Sequence, residues 1–167
     1  MSLQDKSSGM NYAPKSARHQ VKKVCSEGDF PIGVIGLDHG HIFGMCNGLT
    51  ESGAHVQTVY DPDPEKVASF LKAFPQAAVA RSESEVLEDP NVKLIASAPV
   101  PALRGDLGVR AMAHDKDYFT DKPPFTTMQQ LEKARRKTAE TGRFFAVYYS
   151  ERIHVESSVL AERLIQE

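Results

Sequence analysis

The ten residues Ile32-Gly33-Val34-Ile35-Gly36-Leu37-Asp38-His39-Gly40-His41 constrain the fold of this chain more than any other stretch. Pro31 to Leu37 has the length and continuous hydrophobicity of a strand buried on both faces of a parallel sheet. From His41 to Ser52, the residues Ile42, Met45, Cys46 and Leu49 fall on one helical face, and Gly53 ends the helix. Strand, glycine turn and helix in this order make the phosphate loop of a dinucleotide-binding fold. The fingerprint is degraded. Gly36 opens the turn, Asp38 stands where a second glycine is expected, and Gly40 or Gly44 serves as the third.

The rest of the chain alternates in the same rhythm. A second strand spans Val56 to Tyr60. Asp63 and Pro64 then suit the N-cap and first position of a helix bearing Val67, Phe70, Leu71 and Phe74. Ala77 to Ala80 reads as a short strand, and Ser82 and Glu85 have capping-box spacing. Val92 to Ala98 is a fourth strand. Leu103, Leu107 and Ala111 mark a helix, and Asp117 to Thr120 a fifth strand. Thr126 or Thr127 caps a helix carrying Leu131 and Ala134, with Gly142 beyond its end. Phe144 to Tyr149 is a sixth strand, and Val155 to Gln166 a last helix with Val159, Leu160 and Leu164 facing inward. Strands alternating with helices require right-handed crossovers, which predicts a doubly wound parallel sheet, a Rossmann fold, in the order 3-2-1-4-5-6.

Composition narrows the class. The 167 residues are 41% hydrophobic and 25% charged, with a formal charge of -2, so there is no electrostatic footprint for nucleic acid or an anionic membrane. No apolar window is long enough to span a bilayer, and the N-terminus has no secretory apolar core. A soluble cytoplasmic protein is expected. Cys25 and Cys46 are read as free thiols. Residues 1–29, with a basic cluster of Lys15, Arg18, His19, Lys22 and Lys23, read as a flexible extension, and 30–167 as the folded domain.

Ligands of open parallel sheets bind beyond the carboxyl ends of the strands. Those ends hold Gly36, Leu37, Asp38, His39 and Gly40 after strand one and Asp61 after strand two. Ser97, Ala98 and Pro99 follow strand four, Asp121 and Lys122 strand five, and Tyr149, Arg152 and His154 strand six. The glycine turn and the helix after it suit a diphosphate. Asp38 must point away from that diphosphate or cap a helix, or His39 or His41 must offset it. Asp61 suits the hydroxyls of a ribose, and its charge favours NAD over NADP. Lys122, between an acid and a proline, is a cation at the rim, suited to orient a nicotinamide or a substrate hydroxyl. Asp38, His39 and His41 also offer metal-ligand chemistry. No second ligand cluster appears in the sequence, so no metal is assigned.

Together, Ile32 to Leu37, Asp61, Ser97-Ala98-Pro99 and Asp121-Lys122-Pro123 resemble the glucose–fructose oxidoreductase and inositol dehydrogenase (Gfo/Idh/MocA) family over Pro31 to the chain end. The resemblance implies an NAD(P)-dependent oxidoreductase acting on sugars, cyclitols or related alcohols. It makes Lys122 face substrate and nicotinamide, and puts Arg152 and His154 near the nicotinamide end, with His154 a second catalytic candidate. Asp38 replaces a family glycine and Asp121 a family glutamate. Members continue into a second α/β domain that supplies most of the substrate pocket. The expectation is therefore a chain truncated to its cofactor domain, with apolar surface uncovered on the last helix and sixth strand and a tendency to form homo-oligomers. A non-catalytic NAD(H)-binding module or sensor is the alternative. A methyltransferase would also place an acid after strand two, but the Asp-Lys-Pro element argues against it.

Overall fold

The computed structural model describes residues 23–26, 28–150 and 156–166. Six parallel strands form one sheet in the order β3-β2-β1-β4-β5-β6. They are β1 (Pro31–Ile35), β2 (His55–Tyr60), β3 (Ala78–Val79), β4 (Leu94–Ser97), β5 (Asp117–Asp121) and β6 (Phe145–Tyr148). The helices are α1 (His41–Glu51), α2 (Pro64–Ala73), α3 (Glu83–Glu88), α4 (Pro101–Ala113), α5 (Met128–Thr141) and α6 (Glu156–Gln166). The strand order and the alternation are those the sequence predicts. The chain divides into a unit of residues 23–148 and a second unit whose described residues are 149–150 and 156–166.

Every residue of β1 is buried, because helices cover both faces of the central strand. Its side chains alternate between two cores. Ile32 and Val34 join Ile42, Met45 and Cys46 of α1 and Phe70 of α2, whereas Ile35 joins Val86, Leu107 and Tyr118. Fully burying a side chain such as Phe70 contributes about 1.5–3 kcal/mol. The edge strand β3 has only two residues, both exposed, and so offers little backbone for stray pairing.

Local chemistry sets the joints. Asp63 caps α2 by accepting the Glu65 N–H, with Pro64 behind it. Thr127 caps α5, which ends on Gly142 in the left-handed conformation. The capping box at α3 forms only in half: Ser82 accepts the Glu85 N–H, but the Glu85 carboxylate turns to the N–H and guanidinium of Arg81. On α6, Leu160 and Leu164 are exposed, contrary to the inward face expected of them; both belong to the unit that begins at Tyr149. Cys25 and Cys46 are both free thiols. Residues just before β1 are tied to the sheet unit, since the Val24 N–H donates to the Ser52 carbonyl and the Asp29 carbonyl accepts from Lys93. No helix among the described residues is long and apolar enough to cross a membrane.

Candidate functional site

Three strand ends converge on the turn after β1. Gly36 has φ +82°, and a Cβ there would lie 2.8 Å from Pro99, so only glycine lets the turn pass beneath the β4–α4 joint. Its N–H donates to Tyr60 at 3.1 Å and its carbonyl accepts from the Ala98 N–H at 3.0 Å. The His39 N–H returns to the Ala98 carbonyl at 3.0 Å. Ala98 therefore braces the turn through its backbone.

Asp61, at the end of β2, is 7% exposed. One carboxylate oxygen accepts the Leu37 N–H at 2.7 Å and the other accepts the Asp63 N–H at 2.9 Å. The acid thus shapes both the β1 turn and the start of α2. Each oxygen keeps further lone-pair capacity for a ligand.

Asp38 turns across to the neighbouring joint. It accepts from the Lys66 ammonium at 2.6 Å and from the Val100 N–H, at the cap of α4, at 2.9 Å. The Lys66 hydrogen bond holds its pKa below the ordinary carboxylate value, against the opposing effect of burial. Of the alternatives open to Asp38, compensation by His39 or His41 is not the one used: Lys66 and the Val100 N–H hold the carboxylate. Gly36, Asp38, Asp61, Lys66, Pro99 and Leu103 help line a cleft of about 290 Å3. Leu103, one of the residues whose spacing marks α4, is half exposed at this cleft. Arg110 and Glu83 form a two-pronged ion pair in the same wall, at 2.6 and 3.1 Å.

A second constellation centres on Asp121, which is 1% exposed. Its carboxylate forms an ion pair with Arg104 at 3.1 Å and lies 2.8 Å from His41 Nδ1 and 3.4 Å from His39 Nδ1. Asp121 is therefore a buried anchor and does not project from the rim as the sequence suggests. Arg104 is 2% exposed and also donates to the carbonyls of Pro99, at 2.8 Å, and Lys122. One guanidinium thereby joins the wall of the cleft to the Asp-Lys-Pro segment, where Lys122-Pro123 is a cis peptide. Lys122 itself is half-buried and does not line the cleft.

Arg104 escapes a reading of the sequence that follows only apolar residues. The signal was present: positions 104, 107, 108 and 111 recur at helical spacing, so Arg104 shares the buried face of Leu107 and Ala111. Ser97 departs from expectation in another way. It is completely buried, and its hydroxyl engages Tyr118 at 2.6 Å and Thr120 at 3.1 Å inside the sheet, away from the cleft. Arg152 and His154 lie outside the described residues.

Comparison with known proteins agrees with this architecture. The family model described as "Oxidoreductase family, NAD-binding Rossmann fold" (GFO_IDH_MocA) matches residues 30–149. The chain is 26% identical over 110 residues to scyllo-inositol 2-dehydrogenase (NAD(+)) of Bacillus subtilis, a match covering 65% of this chain and 32% of that protein. It is 32% identical over 109 residues to inositol 2-dehydrogenase/D-chiro-inositol 3-dehydrogenase of Lacticaseibacillus casei, covering 63% and 30%. Among solved structures, a candidate oxidoreductase from Erwinia carotovora atroseptica is 42% identical, with a TM-score of 0.77 over 82% of this chain and 41% of that one. The chain spans about a third of the length of these curated relatives.

Proposed function

Because this chain belongs to the Gfo/Idh/MocA oxidoreductase family, whose fold is an NAD-binding Rossmann fold, we propose that it holds NAD(H) in the cleft beside Gly36 and Asp61 and serves hydride transfer with a sugar- or cyclitol-like alcohol. The observation that carries this reading is the convergence of Gly36, Asp61 and Pro99, from three different joints, on one cleft. The residues present suit the cofactor. Among the described backbone bonds, Leu37, His39 and His41 donate their N–H groups within the protein, while those of Asp38 and Gly40 have no protein acceptor. A Cβ at Gly40 would meet nothing within 4 Å, which leaves room for a diphosphate against the start of α1.

Asp61 would accept the ribose hydroxyls. Its charge, with Lys66 already held by Asp38, favours NAD over NADP. Gly36, Leu37, Ala98 and Pro99 would shape the diphosphate end, with His39 and Gly40 above it. Arg104, through Asp121 and the Lys122 carbonyl, would hold Lys122 where it can orient a substrate hydroxyl or take its proton. Arg152 and His154 stay as proposals from the resemblance. When bound, the nicotinamide supplies the hydride chemistry and the protein supplies orientation. A homo-oligomer belongs to the same reading, supported by the exposed Leu160, Leu164 and Ile165 on α6.

A second reading is binding without turnover, a nucleotide-binding module or sensor. One observation favours it: Lys122, the residue given the substrate hydroxyl, does not line the cleft. NADH titration by fluorescence, followed by nicotinamide absorbance with a panel of cyclitols and sugars, tests both. Saturable binding with turnover supports the enzyme, and binding alone supports the module. Absence of binding overturns both.

A further inference from the structure

Two histidines from the β1–α1 joint and one carboxylate from the end of β5 meet at a single point. We propose that His39, His41 and Asp121 form a site for one divalent transition-metal ion of the zinc class. Their ligating atoms all lie within 4.8 Å of one another. Two imidazole nitrogens and a carboxylate oxygen are a donor set that zinc and its neighbours accept.

The spacing suits such an ion. His41 Nδ1 stands 2.8 Å from one Asp121 oxygen, and His39 Nδ1 stands 3.4 Å from the other. Donors at tetrahedral positions around zinc, each bonded at about 2.0–2.1 Å, sit roughly 3.3 Å apart. All three donors lie within 4.8 Å of one another, so side-chain rotation has to draw them onto the ion.

The hydrogen bonds around the two rings also suit it. His39 Nδ1 accepts the His41 backbone N–H at 3.2 Å, so it already carries a lone pair. His41 Nδ1 faces a carboxylate, which only accepts, and therefore bears a proton. On ion uptake the metal takes the place of that proton, which is released to solvent. Arg104 orients Asp121 from behind at 3.1 Å, as outer partners do for ligating carboxylates. Its positive charge opposes the incoming cation and sets the affinity below that of a structural zinc site.

Access is one-sided. The His39 side chain is 51% exposed, whereas those of His41 and Asp121 are 9% and 2% exposed. Three protein ligands with one open side is the arrangement that leaves a coordination position for water or another ligand. No single segment predicts the site, because Asp121 lies 80 residues from His41.

The site shares His39 and Asp121 with the dinucleotide reading, but its test uses the whole chain without nucleotide, so the two fail separately. After chelation and dialysis, wild type, His39→Ala, His41→Gln and His114→Ala are titrated with Co2+ by ligand-field absorbance and with Zn2+ by calorimetry. Wild type and H114A are expected to take up one ion per chain and to gain thermal stability with it. H39A is expected to bind at least about tenfold more weakly while melting, metal-free, like wild type. H41Q should show the same loss of binding. Absence of saturable uptake by wild type, or uptake by H39A equal to it, overturns the proposal.

Discussion

The guanidinium of Arg104 lies 3.1 Å from the carboxylate of Asp121, and both side chains are sealed from solvent. The pair joins α4 to the end of β5 beneath the two loops that border the candidate site. Because the same guanidinium also meets the carbonyls of Pro99 and Lys122, it sets the relative position of the cleft wall and the Lys122 segment.

Removing one partner of a buried ion pair leaves the other charge buried alone, which costs about 3–5 kcal/mol. Arg104→Met is therefore expected to lose about that much stability in urea denaturation. Arg104→Lys keeps the charge but loses the fork, and should fall between R104M and wild type. A loss in R104M below about 1 kcal/mol would contradict the role given to the pair.

The two glycines of the β1 turn should behave oppositely. Gly36→Ala forces an alanine to φ +82° with its Cβ 2.8 Å from Pro99, so it should cost more than about 1 kcal/mol of stability. Gly40 has an ordinary φ of -60° and open space around it, so Gly40→Ala should leave the melting temperature nearly unchanged. Its new methyl group occupies the space assigned to the diphosphate, so NADH affinity should fall. Thermal melts and NADH titrations of the two variants check both halves.

Asp38 gives the acid side of the stability profile a definite sign. Its pKa in the folded chain is lowered, chiefly by the Lys66 hydrogen bond, from an ordinary value of 3.8. The unfolded chain binds that proton more readily, so the contribution is fully present above the unfolded value and is lost as pH falls through the folded one. Both side chains are about a third exposed, which limits the effect to about 0.2–1 kcal/mol. Asp38→Asn keeps an acceptor for Val100. It should be less stable than wild type by a constant margin from pH 5 to 7, and the margin should shrink below about pH 4. A margin that grows on acidification would refute the assignment.

Lys122→Ala should leave NADH affinity within about threefold of wild type, since Lys122 does not line the cleft. Any turnover found with the cyclitol panel should disappear with it. Equal turnover in the variant would remove Lys122 from the mechanism.

The sheet was legible because its signals are local. The apolar run ending at Leu37, the Asp63-Pro64 start of α2 and the Thr127 cap each specify an element within a few residues. The family resemblance was legible through short segments at strand ends. What stayed hidden depends on side-chain direction or distant contact. The sequence places Ser97 at the rim, but the alternation of β4 turns its hydroxyl to Tyr118 and Thr120. Arg104 reads as a surface charge until its register with Leu107 is counted. The approach of His41 to Asp121 spans 80 residues and leaves no periodic trace.

The central claim is that Asp61 belongs to an NAD(H) site. Its most direct test is the NADH dissociation constant of wild type and Asp61→Asn, at a temperature where both are folded by circular dichroism. Asparagine keeps the shape but removes the charge and turns an N–H2 toward a backbone donor, disturbing hydrogen bonds of the charge-assisted kind, worth about 1.5–3 kcal/mol. The expected result is saturable one-to-one binding by wild type and affinity at least about tenfold weaker in D61N. No saturable binding by wild type, or equal affinity in the two proteins, would contradict the account.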